Sequence, residues 1–342
     1  MRSPLCVLGA AVLLALSAAP PALAAGDDQE PSSFTIEDER ISESSGLAAS
    51  RLHPGVYWTH NDSSDGPYVY AVDSKTGRTV ATVTLQGIGR PRDVEGISIG
   101  PDGNVYVGDI GDNLGGKWSK VWIYRFPEPK RLGNTTVRAT QFDVQYEGGP
   151  RNAEALMVDP RSGRVYIASK SDEDPGLYVG PPKLSSGGMN VFKRVSDLGM
   201  EVTDGAFSPD GSRLLLRGYF SVAEYHWGPK GLGKRVSDDP GLPLQRQGES
   251  VTFTPDGGTL MYGTEGPRSP VTAVSLDGEQ VPDATAAEQR RNGGGNGGRH
   301  GAAADGDGTD GGLSARTVLV GAVVVGVLAF LGLLGKKGRR RG

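Results

Sequence analysis

The stretch DVEGISIGPDGNVYVGDIGDN, residues 93–113, holds the pattern from which the fold is predicted. It contains two short apolar runs separated by a turn built on Pro101, Asp102 and Gly103. Short apolar runs on either side of such a turn indicate two antiparallel strands. The same plan returns in four other segments, at residues 44–62, 152–170, 202–220 and 249–266.

The spacing of these five segments predicts the architecture. Successive segments start about 50 residues apart, and a third apolar run follows each pair. Four short strands in a unit of about 50 residues are the signature of a β-propeller blade. The fifth unit ends after its third strand, and SSFTIED (32–38) could supply the missing outer strand and protect the open edge. We therefore predict an all-β fold, a five-bladed β-propeller, with six blades as the alternative.

The opening stretch also contains Gly96-Ile97-Ser98-Ile99-Gly100, which satisfies the G-x-S-x-G pattern of a hydrolase nucleophile. That pattern requires a helix after the serine, whereas here a turn and another strand follow. The repeat places Ser98 in the middle of an innermost strand. We therefore expect Ser98 to have a structural role.

The N-terminal segment predicts export. Residues 1–25 combine Arg2, a long apolar run and the small-x-small signal Ala22-Leu23-Ala24, as in a secretory signal peptide. The one cysteine, Cys6, lies inside this segment. The mature chain is therefore predicted to have neither disulfides nor a thiolate nucleophile.

The C-terminal segment predicts a membrane anchor. Residues 317–335 carry no charge and are long enough to cross a bilayer as a helix, and the tail at 336–342 is basic. A basic flank stays on the cytoplasmic side. Residues 282–316 are rich in Gly, Ala and Asp, which predicts a disordered stalk between the anchor and an extracellular propeller at 31–281.

Charge excludes one class of partner. The net charge of −4 is mild, and no basic stripe that would indicate nucleic-acid binding is present. Acidic residues instead recur at one position of the repeat. Glu95, Glu154 and Glu249 each begin an innermost strand, and Asp204 lies one place away. Since innermost strands line a propeller's channel, these four are the candidate metal ligands.

Polar residues also follow the second strands, which end on the same face. The candidate ligand-binding residues there are Asn61, Asp109, Asp112, Lys170, Arg217 and Glu265. Crowded carboxylates need a counter-charge, and three solutions remain open. These are a hard cation such as Ca²⁺, ion pairs with Lys170, Arg217, Arg92 or Arg151, and hydrogen bonds to backbone amides.

Four segments support a resemblance: YWTHNDS (57–63), VYVGDIGDN (105–113), VWIYRFPEP (121–129) and GPRNAEALMVDP (149–160). Together they resemble secreted or membrane-anchored actinobacterial WD40-like propeller proteins of unknown function, which implies a propeller at a bacterial cell surface. More distantly, the blade pattern is similar to SMP-30-like lactonase and phytase-type propellers. That similarity implies Ca²⁺ held by acids and an Asn, in roles that Glu95, Asn61, Asp109 and Glu154 could fill.

Two functions follow from these features. The first is a binding or interaction module, held outside the cell by the anchor, whose ligand is an envelope protein or glycan. The second is a Ca²⁺-dependent hydrolase, acting as a lactonase, esterase or phytase-like enzyme, in which the channel carboxylates hold the metal and activate water.

Overall fold

The computed structural model describes residues 31–171 and 173–293, which form four mostly antiparallel sheets and one short α-helix. The predicted signal peptide (1–25), most of the stalk (294–316) and the anchor with its tail (317–342) lie outside the described residues. Within the described part of the chain, no helix is both long and apolar enough to cross a membrane.

The strands follow one another in groups that match the repeats of the sequence. A two-residue strand comes first, β1 (Phe34–Thr35). The first repeat forms β2 (Ser44–Ala49), β3 (Val56–Asn61), β4 (Tyr68–Asp73) and β5 (Thr79–Gln86). The second repeat forms β6 (Val94–Ile99), β7 (Asn104–Asp109), β8 (Val121–Pro127), β9 (Thr135–Arg138) and β10 (Thr140–Tyr146).

The remaining repeats keep the same plan. The third forms β11 (Ala153–Val158), β12 (Val165–Ser169), β13 (Gly176–Val179) and β14 (Asn190–Asp197). The fourth forms β15 (Asp204–Phe207), β16 (Arg213–Arg217), β17 (Val222–Gly228) and β18 (Gly231–Ser237). The fifth forms β19 (Gly248–Phe253), β20 (Thr259–Thr264) and β21 (Pro270–Ser275).

The fifth repeat is completed by the N-terminal strand, as expected from the sequence. In β1, Phe34 pairs with Val271 and Thr35 pairs with Pro270, both of β21, in an antiparallel register. The resulting sheet has the order β1-β21-β20-β19, so that a strand from each end of the propeller region shares one sheet. The sheet edge that β21 would otherwise expose is covered by this pairing.

The first strands of the five repeats contact one another in a closed ring. β2 contacts β6, β6 contacts β11, β11 contacts β15, β15 contacts β19, and β19 contacts β2 again. Each of these strands is an edge strand; β6 and β11 are the two edges of one eight-stranded sheet, in which β10 and β14 pair in parallel. Side chains at their ends therefore converge on one central channel, which has two mouths.

The hydrophobic core is divided into clusters, each between neighbouring repeats. Trp58 of the first repeat and Tyr124 of the second, for example, are both buried in one cluster. β-Branched and aromatic residues dominate these strands because they fit a pleated surface that is covered on both faces. The apolar runs that predicted the strands therefore also form the contacts between the sheets.

One finding differs from the expected stalk. Residues Asp283–Gly293 form a helix, α1, within the stretch predicted to be disordered. Its first amides donate hydrogen bonds to the propeller, from Asp283 to Ser212 Oγ (3.0 Å) and from Ala284 to Asp210 Oδ2 (2.9 Å). Arg213 also donates to Asp283 Oδ1 at 2.9 Å. These contacts satisfy the free amides of the first turn, which the composition of the segment did not reveal.

Candidate functional site

Three glutamates that the repeat pattern singled out lie at β-bulges. The pairing of β6 with β7 shifts between Val94 and Gly96, so that Glu95 is the extra residue. Corresponding shifts leave Glu154 unpaired in β11 and Glu249 unpaired in β19. A bulge re-aims the side chain of its extra residue. All three carboxylates are buried and line one cavity in the channel.

A glycine lets these strands approach closely. A Cβ atom on Gly96 would lie 2.7 Å from the backbone nitrogen of Leu156 and 3.0 Å from the carbonyl oxygen of Glu154. Real Cβ atoms do not come this close, so only glycine fits here. Gly96 therefore brings Glu95 of one repeat near Glu154 of the next.

The cavity at this end of the channel, which we call the acidic mouth, has a volume of about 180 Å³. Every side chain that lines it is polar. The residues are Ser45, Asp62, Glu95, Asn113, Glu154, Lys170, Tyr219, Gln247, Glu249 and Glu265. Five acids and one base share this small volume, so the cavity is strongly electronegative when its acids are ionised.

Three carboxylates on one side of the acidic mouth form the candidate metal centre. One oxygen each of Asp62, Asp93 and Glu95 lies within 4.8 Å of the others. Two oxygens bound to the same Ca²⁺, each about 2.3–2.6 Å from it, lie no more than about 5 Å apart. The spacing and the hard oxygen ligands therefore fit Ca²⁺. Asp62 Oδ1 is buried and has no hydrogen-bond partner among the described residues.

Electrostatics in this cluster favour a cation or protons. Burial, followed by the neighbouring Asp93, raises the pKa of Asp62 to about 8. Burial and the nearby Glu154 carboxylate raise the pKa of Glu95 well above its usual range, although the Ser45 hydroxyl opposes this by donating a hydrogen bond of 2.9 Å. Protons and cations relieve the same repulsion, so they compete for these oxygens.

The acidic mouth contains a single base, Lys170. Lys170 Nζ donates to Glu154 Oε1 at 2.7 Å and to the Tyr219 hydroxyl at 2.5 Å. Burial works against the charged ammonium, but Glu154 outweighs it and raises the pKa of Lys170. Burial raises the pKa of Glu154 to about 8. The second oxygen of Glu154, Oε2, is buried and unpartnered among the described residues.

An amide links the last two acids of the acidic mouth. Gln247 Nε2 donates to Glu249 Oε1 at 3.1 Å and also to Glu265 Oε2. Burial raises the pKa of Glu249 to about 7. One amide shared between two carboxylates leaves acceptor oxygens available for a further donor.

Two residues of the expected sets lie outside the cavity because the protein backbone satisfies them. Asp204, an expected metal ligand, accepts hydrogen bonds from the amides of Gly205 and Val251, both at 2.8 Å. Its strand, β15, pairs in regular register without a bulge. Arg217 donates to the carbonyls of Ser250 (2.6 Å) and Gly263 (2.9 Å), and it is fully buried. The structure thus gives both residues contacts that hold repeats four and five together.

Three further expected ligand-binding residues also support loops instead of lining the cavity. Asn61 Nδ2 donates to the carbonyl of Arg40 at 2.8 Å. Asp112 accepts from the amide of Trp118 at 2.6 Å. Asp109 accepts from the amide of Asp93 at 3.1 Å and from the Tyr124 hydroxyl at 2.6 Å. Asp109 therefore positions the backbone of the candidate metal centre without facing the cavity.

Sequence reasoning missed several residues of the acidic mouth. Asp62 directly follows Asn61, and Asp93, which belongs to the candidate metal centre but does not line the cavity, lies two residues before Glu95. Ser45 lies in a register shift of β2, as the glutamates do in their strands. Tyr219 and Gln247 come from loops without a shared motif, and no sequence signal identified them.

No family model matches this chain, and no curated protein matches it. Among solved structures, the chain is similar to a gluconolactonase from Xanthomonas campestris, with 15% identity over 71% of this chain and 79% of that one and a TM-score of 0.43. A putative 6-phosphogluconolactonase from Bacteroides uniformis matches with 14% identity over 68% and 67%, and a TM-score of 0.38. A chain of a nidogen/laminin complex matches with 16% identity over 69% and 77%, and a TM-score of 0.41. Because all three scores lie below 0.5, the chemistry of the site rests on its own side chains.

Proposed function

We propose that this chain is a five-bladed β-propeller that binds Ca²⁺ in its acidic mouth and acts as a binding module at the cell surface. The proposal rests on one observation. One carboxylate oxygen each of Asp62, Asp93 and Glu95 lies within 4.8 Å of the other two, and the buried Oδ1 of Asp62 has no hydrogen-bond partner among the described residues. Burying such a group without a partner is costly, and a bound cation removes that cost. The five cyclic contacts between innermost strands support the blade count.

The location follows from the ends of the chain. In this proposal, residues 1–25 direct export, and residues 317–335 anchor the protein with its basic tail in the cytoplasm. The acidic mouth then faces the extracellular space or the cell envelope, where Ca²⁺ is available. An envelope protein or glycan would be the ligand.

Thermal unfolding tests the metal proposal. The purified protein, stripped by a chelator, should gain melting temperature as Ca²⁺ is added, because a ligand of the native state alone stabilises it by mass action. At a hundredfold excess over the dissociation constant, the gain is about 2.7 kcal/mol, or roughly 5–10 °C for a domain of about 250 residues. A melting temperature that stays constant with Ca²⁺ would contradict the proposal.

Matched variants make the assignment specific. Asp93→Asn and Glu95→Gln remove one cluster carboxylate each while keeping the size of the side chain, and each should reduce the Ca²⁺-induced shift. Asp277→Asn is the control, because Asp277 is exposed and its side chain caps no helix. An equal shift in all four proteins would place the bound ion elsewhere.

A second candidate function is hydrolysis, and Glu154 is the residue that favours it. Glu154 lines the cavity together with Asp62 and Glu95, its Oε2 is unpartnered among the described residues, and its raised pKa, about 8, suits a group that exchanges protons near neutral pH. A bound divalent cation would supply Lewis-acid polarisation of a substrate oxygen. Glu154 would accept a proton from the attacking water, while Lys170 and Tyr219 orient the substrate.

Turnover assays separate the two functions. A panel of lactones and phosphoesters is offered to the Ca²⁺-loaded protein and to Glu154→Gln. Hydrolysis that depends on both Ca²⁺ and Glu154 would establish the enzyme, with an expected loss of about 10²–10⁴-fold in the variant. A Ca²⁺-induced melting shift without any turnover would rule out the hydrolase and support the binding module.

A further inference from the structure

The three most exposed large apolar side chains of the described residues lie in connections on one face of the ring of strands. Leu244 is 105% exposed, Phe220 77% and Leu114 61%. Leu114 lies between β7 and β8, Phe220 between β16 and β17, and Leu244 between β18 and β19. All three connections emerge on the face that bears the acidic mouth, because second strands end there and innermost strands begin there.

Each of these apolar residues is close in sequence to a residue that lines the cavity. Leu114 follows Asn113, and Phe220 follows Tyr219. Leu244 lies three residues before Gln247 in the same loop. We call these three apolar residues the rim. Isolated exposed apolar residues are common, but a group of them around a polar cavity marks an interaction surface.

The rest of the described surface offers a contrast. Leu52, at 50% exposure, lies in the turn between β2 and β3, at the other mouth of the channel. Val191 and Val195 lie on the outer strand β14. The helix α1 binds the turns at Asp210 and Asp256, which also belong to the other mouth. Helix α1 therefore does not cover the rim.

Charge indicates what chemical group the rim surrounds. The acidic mouth has five acids against one lysine, so one bound divalent cation would still leave an excess of acid. Glu154 is only 3% exposed, and its Oε2 has no partner among the described residues. A cationic donor from outside would satisfy this oxygen with a charge-assisted hydrogen bond.

We propose that the rim and the acidic mouth together form a docking surface for a polypeptide that inserts a Lys or Arg side chain into the cavity. Apolar residues that flank the inserted side chain pack on Phe220, Leu114 and Leu244. This inference names the partner class of the proposed binding module and rests on it, but it does not require Ca²⁺. An anionic membrane surface is disfavoured, since its headgroups would face the acids of the mouth.

A displayed library of random twelve-residue peptides is the probe. The full-length protein in detergent is immobilised, and selection is run in Ca²⁺ and in chelator. Peptides with a Lys or Arg between apolar residues should be enriched on the wild type over the triple variant Leu114→Ser, Phe220→Ser, Leu244→Ser. The selected peptide with its basic residue replaced by norleucine should bind at least tenfold more weakly by fluorescence anisotropy.

Single variants complete the test. Phe220→Ser should weaken binding of the selected peptide by about tenfold. Leu52→Ser, the exposed apolar control at the other mouth, should change the affinity by less than about twofold. With Glu154→Gln, the norleucine replacement should cost less than it does in the wild type, because the two charges contact each other.

Four results would overturn the inference. They are enrichment of peptides without a basic residue, no enrichment over the triple variant, equal effects of Phe220→Ser and Leu52→Ser, or Phe220-dependent binding to phosphatidylcholine vesicles in place of peptides. The Ca²⁺-induced melting shift is measured separately. Loss of that shift with persistent peptide binding would remove the metal proposal and leave the docking surface in place.

Discussion

The two mouths lie at opposite ends of the same ring of innermost strands, yet they differ in chemistry. The acidic mouth holds about 180 Å³ and only polar side chains. The other mouth holds about 300 Å³ and is lined largely by apolar residues such as Leu47, Ile97, Val158 and Phe253, together with the turn residues that follow the strands. The backbone explains the contrast. Three of the strands carry a bulged glutamate at their start, whereas toward the other mouth their pairing is regular.

The comparison shows how a repetitive fold can create one functional end. Regular strands alternate their side chains between two faces and pack them against the neighbouring sheets. A bulge adds one residue, bends the strand locally and re-aims the extra side chain. Glu95, Glu154 and Glu249 reach the channel in this way, while Asp204, in an unbulged strand, bonds to backbone amides.

The largest expected effect is a difference in stability between variants of two basic residues near the acidic mouth, Arg217 and Lys170. Arg217→Met should cost about 3–5 kcal/mol of unfolding free energy, since buried carbonyl acceptors at Ser250 and Gly263 would lose their donor. Lys170→Met should cost about 1 kcal/mol, because Glu154 can take up a proton when its partner is lost. Urea denaturation of the two variants measures both values.

An equal loss of unfolding free energy in the two variants would contradict this expectation. Such a result would mean that Lys170 stabilises the fold as much as Arg217 does. The Ca²⁺-induced melting shift of Lys170→Met provides a second readout, which should persist because the hydrogen bonds of the lysine go to Glu154 and Tyr219 and not to the three cluster carboxylates.

The next effect concerns pH and the metal-free protein. Burial raises the pKa values of Asp62 and Glu154 to about 8, so the folded chain keeps protons that the unfolded chain has already released. The free energy of unfolding should therefore fall as pH rises from about 4 to about 8, by up to about 1.4 kcal/mol per pH unit for each proton involved. Glu154→Gln should flatten this slope in chelator.

The same protons should compete with the metal. The Ca²⁺-induced melting shift is expected to grow from pH 5 to pH 8, because cation binding must displace protons from the cluster. A metal-free melting temperature that rises over this pH range, or a Ca²⁺-induced shift independent of pH, would contradict the account of the acidic mouth.

The smallest effect is expected at the other mouth. Ser98 Oγ accepts a hydrogen bond from the amide of Val158 at 3.1 Å. Ser98→Ala should cost about 0.5–1.5 kcal/mol by thermal unfolding and leave both the Ca²⁺-induced shift and any turnover unchanged. Loss of turnover in this variant would contradict the structural role of Ser98 and support a role as nucleophile.

Much of the fold could be predicted from the sequence because the repeats are local. Most strands pair with their neighbours in the chain, and the turn residues mark their ends. The exceptions are β9, which pairs with β5, and β10, which pairs with β8 and β14. The closing strand β1 was also predictable, since the fifth repeat lacked an outer strand. The helix α1 was not, because its start depends on Asp210, Ser212 and Arg213, which lie about 70 residues earlier.

Only those site residues that occupy the same position in several repeats could be predicted from the sequence. The three bulged glutamates share one position, so alignment of the repeats brought them together. Asp93 and Asp62 lie near such positions, and only the folded structure shows that their carboxylates approach Glu95 to within 4.8 Å. Asp204 lies one place from the position that the glutamates share, and a change of one place in a strand redirects the side chain to the opposite face.

The central claim is that Asp62, Asp93 and Glu95 hold a cation, and crystallography with anomalous scattering tests it most directly. A crystal grown with Ca²⁺, or with Mn²⁺ as a stronger anomalous scatterer, should show one peak within about 2.6 Å of oxygens from all three residues. An anomalous map with no peak in the acidic mouth at saturating metal, or a peak bound to other residues, would contradict the claim.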